Sequence, residues 1–212
     1  MRYTLARAAQ LAEASYQGKD AKVIGDQWKD TLDQDDVMAH LLTDNTLLIV
    51  GSNSWRDYIR FNLRVQRMGK PRLKLANIKA AATWHQGFLA YTKGVQDWMM
   101  EKNIKPSFII GHSLGAAAAQ ILSAGWNIPA IAFAAPRTCR TGSAQSIAPK
   151  CLCINRTDDT ICTLPGSFKH IGMVKPYAPS SPSPGMDHHM SNYRKALRIP
   201  NPRTPLPRQW PR

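Results

Sequence analysis

Gly111-His112-Ser113-Leu114-Gly115 is a G-x-S-x-G segment between the apolar run Phe108 to Ile110 and the helix-forming stretch LGAAAAQILSA. A serine so placed can act as the nucleophile of an acyl transfer. A strained strand-to-helix turn lifts its hydroxyl into a cleft, and glycines two residues to either side let the backbone approach its neighbours. Strand signal, helix signal and both glycines are present, so Ser113 is the candidate nucleophile at the positive end of a helix. The competing reading is a Gly-rich structural turn with an incidental serine.

A serine needs a histidine to take its proton, and that histidine needs a carboxylate to fix its tautomer. Downstream of Ser113 the acids are Asp158, Asp159 and Asp187, and the histidines are His170, His188 and His189. Asp158 and Asp159 follow the apolar run Cys151 to Ile154, at the strand end where open α/β sheets build their sites. Asp187-His188-His189 follows a Pro-rich loop and opens a helical pattern containing Tyr193 and Leu197. Residue types alone leave both doublets open.

These residues need a scaffold. Thr46 to Val50, Phe108 to Ile110, Ile128 to Phe133 and Cys151 to Ile154 are short, continuous apolar runs of the kind buried on both faces of a parallel sheet. Helical patterns fall between them, over Gln86 to Lys102 after a strand ending near Trp84 and over Leu114 to Ala124, and the N-terminal MRYTLARAAQLAEAS reads as an amphipathic helix. Strand alternating with helix predicts an α/β fold, a mostly parallel central sheet flanked by helices in one compact domain over 1–199. Beyond it, residues 200–212 carry five prolines in thirteen residues and read as a flexible tail. The loop from Tyr177 to Gly185 reads as extended and mobile for the same reason.

A chain of 212 residues, 43% apolar, is long enough for a single core without staples. Its four cysteines are too few for a disulfide scaffold, and no C-x-x-C pairs suggest a zinc site. Cys151 and Cys153 share a strand face and are poorly placed to bridge each other. No run approaches the roughly 18 apolar residues of a membrane span. Arg7 and Gln10 interrupt what would be the apolar part of a signal peptide, so a cytoplasmic location is expected, with release by lysis or a non-classical route.

Taken together, these segments resemble the lipase class 3 (fungal-type lipase) family of α/β-hydrolases, over roughly Ala9 to Leu197. VGSNS at Val50 to Ser54 is similar to the family's strand ending in G-[TS], and WRDYIRFNL at Trp55 to Leu63 to the amphipathic segment that is a lid in several members. HQGF at His85 to Phe88 looks like H-x-G-F, GHSLGA is the elbow, and Asp159 to Pro165 lines up with D-x-V-P-x-L-P, with Cys162 at the usual Pro. His170-Ile171-Gly172 resembles H-[VI]-G, and His188 stands five residues before Tyr193, as in the family's H-x-x-x-x-Y. The resemblance implies Ser113 as nucleophile, His188 as base and Asp159 as its acid. It implies an oxyanion hole from Ser52 and the Leu114 amide, a lipid ester substrate such as triacylglycerol or phospholipid, and no metal or cofactor. His85, His112 and His170 are read as structural, His112 being merely the x of the elbow.

The net charge of +14 is concentrated. Arg56 to Lys79 contributes +7 and Arg194 to Arg212 contributes +6, while Asp20 to Asp44 holds seven Asp against Lys22 and Lys29. Near the expected cleft, Trp55, Tyr58 and Phe61 stand among Arg56, Arg60 and Arg64, an apolar stripe beside an arginine stripe that suits an anionic membrane interface. A solvated basic helix packed on the core is the alternative. Two basic segments could also serve a non-catalytic membrane or nucleic-acid binder, but no recognition motif accompanies them and no nucleic acid is expected. Acyl transfer to an acceptor other than water is a further alternative, and a monomer is the default state.

Overall fold

The computed structural model describes residues 1–51, 83–140, 150–182, 188–198 and 205–211. Its centre is a seven-stranded sheet. In chain order the strands are β2 (Trp28–Gln34), β3 (Val37–Leu42), β4 (Thr46–Ile49), β6 (Phe108–His112), β7 (Ala130–Phe133), β9 (Cys151–Arg156) and β10 (Met173–Tyr177). Across the sheet they run β10-β9-β7-β6-β4-β3-β2, parallel from β4 to β10, with β3 and β2 added antiparallel at one edge. The four apolar runs read from the sequence are the four central strands.

Because side chains alternate across a strand, each central strand feeds two cores. Leu47, Ile49, Ile109, Ala130, Ala132, Cys151 and Cys153 face one side, against helices α2 (Gln86–Glu101) and α3 (Leu114–Trp126). Leu48, Phe108, Ile110, Ile131, Phe133, Leu152 and Ile154 face the other, where α1 (Leu5–Ala14) and α4 (Met190–Leu197) lie. On the first face, Ala116 to Ala119 of α3 are fully buried over the short side chains of β7, so helix and sheet approach closely. Cys151 and Cys153 do share a face, and all four cysteines are free and buried.

The order of strands fixes the site. Ser113, Asp159 and His188 leave the C-terminal ends of β6 and β9 and the N-terminal approach of α4, all at one end of the parallel sheet. Among the described residues no helix is long and apolar enough to cross a membrane.

Three features go beyond the sequence reading. The acidic stretch forms a hairpin, β2 and β3, whose two turn residues Asp35 and Asp36 both have positive φ, at 51° and 62°. The Thr83–Trp84 strand, β5, lies outside the main sheet and pairs with β8 (Cys139–Arg140). Finally, the described part of the tail is docked. Gln209–Trp210 (β11) pairs antiparallel with Tyr3–Thr4 (β1). Trp210 is buried to 6% exposure among the α1-side core residues, and its indole Nε1–H donates to the Lys150 carbonyl at 2.9 Å. Prolines flank this pair without interrupting it, which a two-residue ribbon tolerates and a longer strand would not. Truncating Trp210 to alanine should therefore cost about 3 kcal/mol in urea denaturation, and an unchanged midpoint would show that the tail is free.

Candidate active site

Ser113 sits between β6 and α3 with φ 60° and ψ −119°. Such a backbone costs on the order of 1 to 3 kcal/mol and persists only where the surroundings impose it. Here they do. A Cβ on Gly111 would collide with the Gly115 backbone, and one on Gly115 would collide with the Ile49 carbonyl. The Ser113 amide is tied to the Phe133 carbonyl at 3.0 Å, while its own carbonyl receives the amides of Ala116 and Ala117 at 3.0 and 3.1 Å. Helix and strands are thus pressed together around the turn, and Ser113 is held with 1% exposure.

From there a chain of hydrogen bonds runs to a carboxylate. Ser113 Oγ lies 2.7 Å from His188 Nε2, and His188 Nδ1 lies 2.9 Å from Asp159 Oδ2. An ionised carboxylate can only accept, so Nδ1–H donates to Asp159 and Nε2 is left to accept the serine proton. Asp159 caps the short 3₁₀ turn Thr160–Thr163 through Oδ1, which accepts from the Ile161 amide at 3.0 Å, and Oδ2 accepts from the Tyr193 hydroxyl at 2.8 Å. Burial pushes its pKa up, yet the bonds from His188, Tyr193 and Ile161 together with the His188 charge win, and the net shift is downward.

The two doublets are separated by their partners. Asp158 is held by Arg156, Nε and Nη2 to its two oxygens at 3.0 and 2.9 Å, in a buried bidentate pair. Arg156 also reaches the Asn192 carbonyl through Nη1 at 3.3 Å, so Arg156, held by Asp158, ties β9 to α4. On the other side His188 faces the serine, while His189 is exposed and caps α4. His170 donates from Nε2 to the Ala135 carbonyl at 2.8 Å, whereas it is His188 that bonds Ser113 Oγ. Asp187 and Ser52 lie outside the described residues, as do Trp55, Arg56, Tyr58, Arg60, Phe61 and Arg64. Leu114 is the first residue of α3, so its amide is among those that no carbonyl of the helix can satisfy.

His112 does more than fill the variable place of the elbow. Its Nε2 is 2.9 Å from the His188 carbonyl and its Nδ1 is 2.6 Å from the Tyr16 hydroxyl. A carbonyl only accepts, so Nε2 carries the proton and Nδ1 accepts from Tyr16. That tautomer pins the main chain of His188 from below, and it requires a neutral ring. Burial first, then the neighbouring His188, lowers the His112 pKa to about 3. Tyr16 in turn lies against Gly51, where a Cβ would come within 2.9 Å of Ser113 Cβ. No local sequence signal marks Tyr16 or His112, since their partners are 96 and 76 residues away along the chain.

The sequence matches no protein-family model, and no significant relative is found among curated proteins. Solved structures do resemble the chain. The Lip2 lipase of Yarrowia lipolytica is 17% identical with a TM-score of 0.59, over 81% of this chain and 76% of that one. A triacylglycerol lipase of Penicillium expansum is 18% identical with a TM-score of 0.58, over 84% and 79%. Lipase II of Rhizopus niveus is 19% identical with a TM-score of 0.56, over 82% and 79%. At these identities the likeness establishes the fold, and it is the α/β-hydrolase fold of fungal lipases.

Asp159→Asn should lower the rate of Ser113 labelling by a fluorophosphonate about 10⁴-fold, because the amide forces the wrong His188 tautomer. Asp158→Asn should leave labelling within about tenfold but cost roughly 3 kcal/mol of stability, since Arg156 loses its buried counter-charge. The reverse ranking would exchange the roles of the two acids. Acid sensitivity follows from the buried histidines. His112, His40 and His170 all have lowered pKa values, chiefly through burial, so the unfolded chain takes up protons that the folded one refuses. Stability is then full above about pH 6.5 and is lost as pH falls toward the folded value of about 3 for His112. Urea midpoints measured across that window should decline steadily, and a flat profile would contradict the neutral His112.

Proposed function

We propose that this chain is a member of the lipase class 3 family and a serine hydrolase that cleaves carboxylic esters of lipids. The observation that carries this reading is the continuous relay from Ser113 Oγ through His188 to Asp159, at 2.7 and 2.9 Å, on a strained elbow of the lipase fold. As Ser113 attacks the ester carbonyl, its proton passes to His188 Nε2, and the imidazolium is stabilised by Asp159. The negative oxygen of the tetrahedral intermediate would accept from the Leu114 amide at the helix N-terminus, with Ser52 as the second donor. Such donors contribute about 3 kcal/mol each. His188 returns the proton to the departing alkoxide, leaving an acyl group on Ser113. Water, activated by the same histidine, then releases the acid.

Triacylglycerol and phospholipid esters are both within this chemistry. The basic segment containing Arg56, Arg60 and Arg64 supports a preference for anionic interfaces, each cation near the surface contributing about 1 kcal/mol.

Fluorophosphonate labelling of the wild type against Ser113→Ala tests the core of the reading, followed by p-nitrophenyl esters, triolein emulsions and phospholipid vesicles. Labelling confined to the wild type, with Ser113→Ala losing at least about 10³-fold in activity, is expected. An unlabelled wild type removes the hydrolase. Co-sedimentation with anionic and neutral vesicles at low and high salt tests the interface separately, and equal binding to both would remove the anionic preference alone.

A further inference from the structure

Cys162 stands in the 3₁₀ turn that begins at Asp159, where the lipase class 3 pattern carries a proline. It differs from that proline in two ways. It has an amide N–H, which donates to the Asp159 carbonyl at 3.2 Å. It also has a thiol, and Sγ lies 3.4 Å from the Tyr193 hydroxyl oxygen in a setting only 5% exposed.

The direction of that contact follows from counting protons. The Tyr193 hydroxyl has one proton and two lone pairs. Its proton goes to the Asp159 carboxylate, which can only accept, and one lone pair receives the Arg156 amide N–H at 3.1 Å. One lone pair is left for Sγ, so in this contact the thiol is the donor, with the Asp159 carboxylate a second acceptor beside it. Burial, and after it the negative Asp159, raises the Cys162 pKa well above that of a free thiol, which keeps the proton on sulfur. Three groups, the β9 amide of Arg156, the turn thiol of Cys162 and the carboxylate of Asp159, thereby close around the α4 hydroxyl oxygen.

We propose that Cys162 is a positioning residue for the hydrolytic relay, its thiol donating to Tyr193 Oη so that the tyrosine's own proton is committed to Asp159. The inference rests on the hydrolase reading given above. A donor on Oη polarises the phenol and strengthens its bond to the carboxylate, since hydrogen bonds in series reinforce each other. Without that donor, Asp159 presents more of its charge to His188 and the tyrosine ring is less firmly fixed.

Three variants separate this role from simple filling of space. Cys162→Ala removes the donor, Cys162→Ser restores one of similar size, and Tyr193→Phe removes the oxygen that receives it. The expected result for Cys162→Ala is a kcat lowered about 3- to 10-fold with KM unchanged, and an acid limb of kcat/KM raised by about half a pH unit. Cys162→Ser should restore both to within twofold. In the Tyr193→Phe background Cys162→Ala should have no further effect, because the two residues then act as one unit. NMR titration of the His188 ring in each variant reads the same displacement without any turnover, so it remains decisive if no ester proves to be a substrate. An unmoved titration in Cys162→Ala overturns the proposal. So does an alanine effect that persists undiminished without the Tyr193 hydroxyl, or a serine variant that behaves like alanine.

Discussion

Contact between backbones at the elbow sets the terms for everything else. α3 can be seated on the sheet only because Gly111 meets Gly115 and Gly115 meets the Ile49 carbonyl with no side chain between them. That closeness explains the Ala116 to Ala119 run, the small residues of β7 and the buried first face of the sheet. It also holds Ser113 in a conformation that an isolated serine would leave at once. The helix is thus a clamp on Ser113 as well as a core element, and the positive end of its dipole begins at the next residue in the chain.

Beyond the elbow, the site is an exercise in giving each buried polar group its own partner. Asp158 and Asp159 are adjacent, and two neighbouring carboxylates with shared partners would raise each other's pKa. The structure separates them. Arg156 takes Asp158 with both oxygens, and His188, Tyr193 and the Ile161 amide take Asp159. Arg156 serves both halves, since its side chain binds Asp158 and its amide donates to Tyr193. His112 plays the corresponding part on the histidine side, bridging Tyr16 to the His188 carbonyl. The orientation of the Ser113–His188–Asp159 chain of hydrogen bonds depends on both.

What was legible in the sequence was whatever repeats or alternates locally. Strands buried on both faces read as continuous apolar runs, and the Ala-rich helix after G-x-S-x-G declared itself. The β2 and β3 hairpin did not, because WKDTLDQ lies at the sheet edge with only Leu32 buried, leaving no apolar signal. Its turn uses Asp35-Asp36 in place of the Asn-Gly or Asp-Gly that usually announces two positive-φ residues. β10 was hidden for a related reason, being an edge strand that tolerates Lys175 and Pro176. Proline content argues against long strands, whereas a two-residue ribbon and one tryptophan suffice to dock Gln209–Trp210. Spacing to Tyr193, borrowed from the family pattern, singled out His188. The physical reason for that spacing is visible only in three dimensions, where Tyr193 returns over one turn of α4 to hold the acid that holds the histidine.

Charge is distributed by the same logic. Among the described residues, Arg156 pairs with Asp158 in the interior and Arg194 with Glu13 where α4 meets α1. Most of the excess cations lie in two stretches of sequence, Arg56 to Lys79 and Arg194 to Arg212, the second of which begins with the paired Arg194. An unpaired cation beside Asp159 would compete with His188 for the carboxylate. Screened attraction between charges governs encounter with partners and adds little to stability. The end of the chain shows that the two roles can share one segment. Trp210 anchors the tail in the α1-side core while Arg208, two residues earlier, remains exposed and lends its carbonyl to the Leu5 amide at 3.3 Å.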